Sequence, residues 1–283
     1  MALALGGLSL GCGDDAAPGG NGGTGTGTST GATGDDTATS MTPNDSGSSA
    51  GSGNMEGSES SSSSGDPPPV EVTIEGQVVD FVSMAAGIGD AEISVYDMPG
   101  LTDTADNEGM FSVGPFDADT QATFLVAPSE NYLGAVIPVA VEDEPTQDGQ
   151  QLAQIQRLFV EGQIMALEPQ MPAMADLTEG IVIVRLLNNT AVMEGPTTVT
   201  MDPAPDPGTF YGPDANGAPV LDQTTIEFAA LPVLVYFNVP EANPGEISFM
   251  ATHPTRICEV LFPDFPVLGE HITLVDITCV PPE

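Results

Sequence analysis

Lysine and tryptophan are absent from the chain, and its only cations are Arg157, Arg185 and Arg256, two histidines aside. Against them stand 41 acidic residues, for a formal net charge of −38. Such a field repels nucleic acid and anionic lipid headgroups, which excludes the electrostatic footprint of a nucleic-acid binder. Two histidines and three cysteines leave little for metal or redox chemistry, and aromatics make up only 5% of the chain.

The sequence carries no specific catalytic pattern. His253 precedes Pro254 at the end of one apolar run and His271 opens another, neither within a nucleophile motif, so both read as surface residues. No phosphate-cradling glycine loop precedes a helix, because the glycines cluster near the amino terminus and in turns. Paired carboxylates are too abundant to discriminate anything. No catalytic residue and no cofactor is expected.

Residues 1–11 form a short apolar run, too brief to span a bilayer, that ends at Cys12 and is followed by Gly13, Asp14 and Asp15. The step Leu8-Ser9-Leu10-Gly11-Cys12 resembles the lipobox of bacterial lipoproteins, although Ser9 stands where that motif usually has leucine. The resemblance implies a signal peptide over 1–11 and acylation of Cys12, hence a membrane partner through the lipid and a place in the bacterial envelope, at the outer membrane or cell surface. Residues 12–69 are dominated by Gly, Ser, Thr, Asp and Asn, including the run Ser60 to Ser64. They hold too little apolar surface to offset the entropy of ordering, so a disordered tether is expected, stiffened at Pro67-Pro68-Pro69. A flexible segment of about 55 residues would reach roughly 40 Å.

Alternation starts after the prolines. Val70, Val72 and Ile74 fall on one face while Glu71, Thr73 and Glu75 fall on the other, the period-two pattern of a half-buried strand. Ala91, Ile93 and Val95 repeat it, and further strands are expected at Met110 to Val113, Gln121 to Ala127 and Leu133 to Val141. The order Gly76-Gln77-Val78-Val79-Asp80, Gly89 to Val95 and Thr104 to Val113 resembles the carboxypeptidase regulatory-like domain. That resemblance implies a small prealbumin-like β-sandwich over 70–142 with no active site of its own. Asp103, Asp106, Asn107 and Glu108 admit a calcium loop, but Asp, Asn and Gly at this spacing are what a tight turn uses, and the turn is the preferred reading.

Asp148 and Gln151 have the spacing of a capping box, with Leu152, Ile155 and Phe159 behind them at helical intervals. A helix from about 149 to 166 is expected within a connector over 143–178, ended by Pro169 and Pro172. Strand signals resume at Gly180 to Leu187, dense enough in β-branched residues to be buried on both faces. More follow at Thr197 to Met201, Thr224 to Phe228, Val233 to Asn238, Glu246 to Ala251, Ile257 to Phe262 and Ile272 to Cys279. The fold class is therefore all-β: two small β-sandwich domains joined by a short helix, the second over 179–283 and loosely echoing the first as a divergent copy.

Two features of the second half carry site expectations. The stretch 202–219 holds the adjacent aromatics Phe210 and Tyr211; they read as residues pinning the loop or, alternatively, as a ligand platform. Cys258 and Cys279 form an even pair once Cys12 is lipidated, and antiparallel pairing of their strands would set them opposite for a disulfide. The function expected is a non-catalytic, lipid-anchored envelope protein presenting sandwich modules to a protein or glycan partner. The alternative is a carbohydrate-binding or adhesive protein using the 202–219 loop.

Overall fold

The computed structural model describes residues 71–170 and 175–282, which belong to one compact unit. The signal peptide, Cys12 and the tether expected over 12–69 lie outside the described residues. The first half contributes seven strands: β1 (Glu71–Asp80), β2 (Glu92–Val95), β3 (Met98–Thr104), β4 (Met110–Asp117), β5 (Gln121–Val126), β6 (Gly134–Ala140) and β7 (Thr146–Gln154). After helix α1 (Arg157–Leu167) come β8 (Gly180–Leu186), helix α2 (Asn189–Glu194), β9 (Thr197–Asp202), β10 (Phe210–Pro213) and β11 (Pro219–Leu221). The chain ends with β12 (Thr225–Ile226), β13 (Val233–Val239), β14 (Ser248–Thr252), β15 (Ile257–Val260) and β16 (His271–Val280). The described residues are thus mostly β, with several sheets and two helices.

A ten-stranded sheet runs β11-β10-β13-β8-β16-β6-β5-β2-β3, with β15 also paired to β16. Among the described residues there are also two three-stranded sheets, β4-β1-β7 and β12-β9-β14. Alternation decides which core each side chain enters. Ile181, Ile183, Val235, Phe237, Ile272 and Leu274 join the cluster holding Val72, Ile74 and Phe124. Their chain neighbours Val182, Val184, Leu234, Tyr236 and Val275 join a second cluster with Val199 and Phe249. Strands β8, β13 and β16 therefore bury both faces, which is why their sequences are continuous apolar runs.

β16 joins the two halves. It pairs in parallel with β6 at His271↔Gly134 to Thr273↔Val136, and with β8 from Ile272↔Ile181 to Ile277↔Leu186. The boundary expected near residue 178 therefore crosses a continuous hydrogen-bonded sheet. The two sandwiches share that sheet, one core on each of its faces.

Local irregularities keep the apolar residues inward. Between Val72↔Phe116 and Ile74↔Val113, β4 takes three steps to two on β1, so Val113 and Phe116 both reach the core. Phe124 meets Phe111 and Phe116 there with ring centroids 5.9 Å apart in each pair.

The helix expected from about 149 is corrected by the structure: Thr146–Gln154 is strand β7, parallel to β1, and α1 begins at Arg157. Asp148 and Gly149 are not a cap. They lie in a bulge where β7 takes three steps, Gln147 to Gln150, against Ile74 to Gly76, and Gly149 supplies a φ of 79°. The reason is long-range: β1 has a free edge, and pairing it satisfies backbone groups that a helix at 149 would leave open. The seventh strand of the first sandwich thus lies beyond the expected limit at 142.

Candidate functional site

Asp80 is the last residue of β1 and falls on the same face as Val72, Ile74 and Val78, so alternation carries a carboxylate to the core side of the strand end. It is 3% exposed. One oxygen, Oδ1, accepts the backbone N–H of Val82 at 2.9 Å and of Ser83 at 3.0 Å, closing the turn that leaves the strand. The other, Oδ2, accepts Gln156 Nε2 at 2.6 Å and the Tyr132 hydroxyl at 3.2 Å. Burial by itself would raise the Asp80 pKa, but the hydrogen bonds from Gln156, Ser83, Val82 and Tyr132 outweigh it and hold the carboxyl below its usual range. Tyr132 moves the other way: burial and then the Asp80 charge push its hydroxyl up.

One buried anion thus ties three segments: the end of β1, the connection from β5 to β6, and the junction of β7 with α1. Further bonds fix that junction. Gln154, buried, donates its amide to Ala127 O and Leu133 O, and the Arg157 backbone N–H donates to Asn131 O at 2.9 Å. The Arg157 side chain donates Nε to Ser129 O at 3.0 Å and sets Nη2 3.6 Å from Glu270 Oε1.

Over this junction lies an open cleft of about 430 Å³ lined by Glu130, Asn131, Tyr132, Gln156, Arg157, Leu158 and Glu161. It offers a tyrosine ring, a guanidinium, two primary amides and two carboxylates. Nothing in the residue spacing announced it, since 80, 132 and 156 are distant along the chain. The available signal was a charged residue at a core-facing position of a strongly alternating strand, where a carboxylate is found only when partnered.

The other cations and the histidines are engaged elsewhere. Arg185 grips Asp276 through two bonds of 2.7 and 2.8 Å, across the β8/β16 pair. Arg256 holds Glu194 with bonds of 2.8 and 2.7 Å and donates to Cys279 O at 3.1 Å. His253 sets Nε2 3.0 Å from Ala191 O and 3.2 Å from Gly195 O, at the end of α2, while its Nδ1 accepts from Thr255 N. His271 places Nδ1 2.6 Å from Gly269 O. Neither histidine lies beside a serine or cysteine nucleophile.

The residues singled out from sequence are placed as follows. Asp106 Oδ1 accepts the N–H of Glu108 at 2.8 Å and of Met110 at 2.9 Å, while Gly109 takes a φ of 82°. Asp103 accepts from Thr104 N and Ser112 N. These carboxylates are occupied by turn amides, and among the described residues no group of three acidic, histidine or cysteine side chains is gathered for a metal. The calcium reading of Asp103, Asp106, Asn107 and Glu108 therefore gives way to turn chemistry.

Phe210 and Tyr211 pin their segment to the two cores, the first of the two readings the sequence left open. They open strand β10, where adjacent side chains point to opposite faces. Phe210 stacks on Tyr236, centroids 5.3 Å apart, in the second core, and Tyr211 stacks on Phe237 at 5.6 Å beside the first. Burial pushes the Tyr211 hydroxyl up to about 12. One aromatic serves each core, so the two cannot form a single platform. Cys258 and Cys279 stand opposite each other on β15 and β16 and are joined by a disulfide. Cys12 lies outside the described residues.

No family model and no curated protein matches the chain. Among solved structures, it is similar to the Bacillus anthracis TIE protein at 11% identity and a TM-score of 0.26, over 74% of this chain and 34% of that one. It thus spans about a third of that protein's length. The shaft pilin SpaA of Lactobacillus rhamnosus GG aligns at 11% identity and a TM-score of 0.21, covering 76% of this chain and 98% of the pilin. The major pilin protein T-13 of Streptococcus pyogenes aligns at 8% identity and 0.22, over 75% and 97%. Likenesses of this size carry no argument about function.

Proposed function

We propose that this chain is a non-catalytic envelope lipoprotein: Cys12 carries the lipid, residues 12–69 are the tether, and the β unit from Glu71 onward is presented at the bacterial surface. The observation that carries the non-catalytic part is where the chemically versatile side chains go. Arg185 and Arg256 are bidentate partners of Asp276 and Glu194, and both histidines bind backbone carbonyls. Their polar atoms serve the scaffold. The anchor rests on sequence order: an apolar run, a cysteine behind a small residue, a long polar stretch, then a folded unit. Several acyl chains would hold the protein at the membrane, because each buried methylene contributes about 0.8 kcal/mol. The first sandwich is read as the regulatory-like type, an accessory module.

Expression in a bacterial host with its own export signal tests this reading. The protein should fractionate with membranes, label with a palmitate analogue, and lose both properties on Cys12→Ser. Unlabelled wild-type protein in the soluble fraction would refute the anchor.

A further inference from the structure

We propose that the cleft between the Glu130–Tyr132 segment and the start of α1 is a binding site for a neutral saccharide unit. The inference does not depend on the lipid anchor.

Three features point there. First, the walls are held in place before any ligand arrives. Gln156 and Tyr132 are both fastened to buried Asp80, and Arg157 is fastened to Ser129 O and faces Glu270. Exposed polar side chains are ordinarily mobile, and ordering them on binding opposes affinity; for Gln156, Tyr132 and Arg157 that ordering is complete in the free protein.

Second, the chemistry of the wall matches a ring that carries hydroxyls. Each hydroxyl both donates and accepts, so it needs acceptors and donors side by side. Glu130 and Glu161 supply carboxylate acceptors, Arg157 supplies guanidinium donors, and the Asn131 amide supplies one of each. The Tyr132 hydroxyl is turned inward to Asp80, so Tyr132 adds chiefly ring to the wall, beside exposed Leu158. Such apolar carbon suits the C–H face of a sugar. The volume, about 430 Å³, lies within the range of roughly 300–1,000 Å³ typical of small-molecule sites.

Third, electrostatics disfavours anionic ligands. An anion would meet Glu130, Glu161 and Glu270 around a single arginine, within a chain of net charge −38. A metal ion would need converging carboxylates, and no group of three is gathered among the described residues. An organic cation would be drawn to these glutamates and opposed only by Arg157, so it is the competitor that the cationic probe below must separate. A neutral polyol carries none of these penalties.

The test uses the full chain labelled with nitrogen-15 and amide shift mapping with cellotriose, chitotriose and maltotriose as neutral probes, 3′-sialyllactose as the anionic one and spermidine as the cationic one. At least one neutral trisaccharide should give saturable shifts centred on Asn131, Tyr132, Arg157 and Leu158. Glu161→Ala and Asn131→Ala, whose side chains tie nothing else down, should leave the rest of the spectrum in place and weaken binding roughly tenfold each, as expected for losing one good hydrogen bond. The proposal is overturned if no neutral probe moves these amides at millimolar concentration, if the shifts map elsewhere, or if both variants bind unchanged. It is equally overturned if sialyllactose or spermidine binds the cleft in preference to every neutral probe.

Discussion

Replacing Asp80 by alanine leaves four donors facing a void: Val82 N, Ser83 N, the Gln156 amide and the Tyr132 hydroxyl. Hydrogen bonds to a charged group contribute about 1.5–3 kcal/mol each, but water can reach the two turn amides in part, so the net loss should be about 3 kcal/mol. For a folded unit of this size that corresponds to a fall in melting temperature of roughly 6–12 °C. Asp80→Asn should cost less, about 1–2 kcal/mol. Its carbonyl can stay on the turn amides while the new NH2 group donates to a rotated Gln156 and to the Tyr132 oxygen. The pH dependence separates charge from shape. Asp80 has a folded pKa below its unfolded value, so the stability it contributes is present above the unfolded value of about 3.9 and is lost as pH falls towards the folded one. The gap between wild type and Asp80→Asn in urea unfolding should therefore be constant near neutral pH and shrink below about pH 4. An Asp80→Ala protein within about 1 kcal/mol of wild type, or a gap that stays level into acid, would refute the hub.

Gly76→Ala should be strongly destabilising, by about 1–3 kcal/mol as for overpacked sites, because its Cβ would lie 1.9 Å from the backbone oxygen of Gln150 on β7. A tolerated alanine would mean that β7 does not pair with β1 as described. The Cys258–Cys279 bond closes a loop with a sequence separation of 21, which the chain-entropy estimate equates with about 3 kcal/mol. Reductant should lower the melting temperature accordingly, and titration of the denatured, unreduced protein should find no free thiol except at Cys12; two more thiols would contradict the bond. With a charge of −38, melting temperature should rise from dilute buffer to physiological salt as repulsion is screened, and a flat or falling trend would show the charges to be too dispersed to matter.

The strands with a buried face were readable wherever one residue in two is apolar. β1, β2, β5 and β16 lie where alternation placed them, and β8 is buried on both faces as its β-branched run implied. β7 was not readable, because Thr146 to Gln154 is an edge strand made largely of glutamine, and Leu152 with Ile155 mimics a helical interval. The aromatic pair left two readings open for a related reason. Phe210 and Tyr211 are adjacent in sequence, but their orientation depends on whether the backbone there is loop or strand, and pairing with β13 made it strand.

By itself the sequence determined the properties that act within a few residues or over the whole charge: the β class, the Asp106 to Gly109 turn, the facing positions of Cys258 and Cys279, and the field that excludes polyanions. Tertiary structure decided what depends on contacts between distant segments. The parallel seating of β16 between β6 and β8 merges two sandwiches into one sheet with a core on each side. The bonds of Asp80 to Tyr132 and Gln156 gather the walls of the cleft across sequence separations of 52 and 76. No local pattern encodes such meetings, because parallel pairing and a shared buried carboxylate arise only when the rest of the chain has folded and presents an open edge or an unpaired donor.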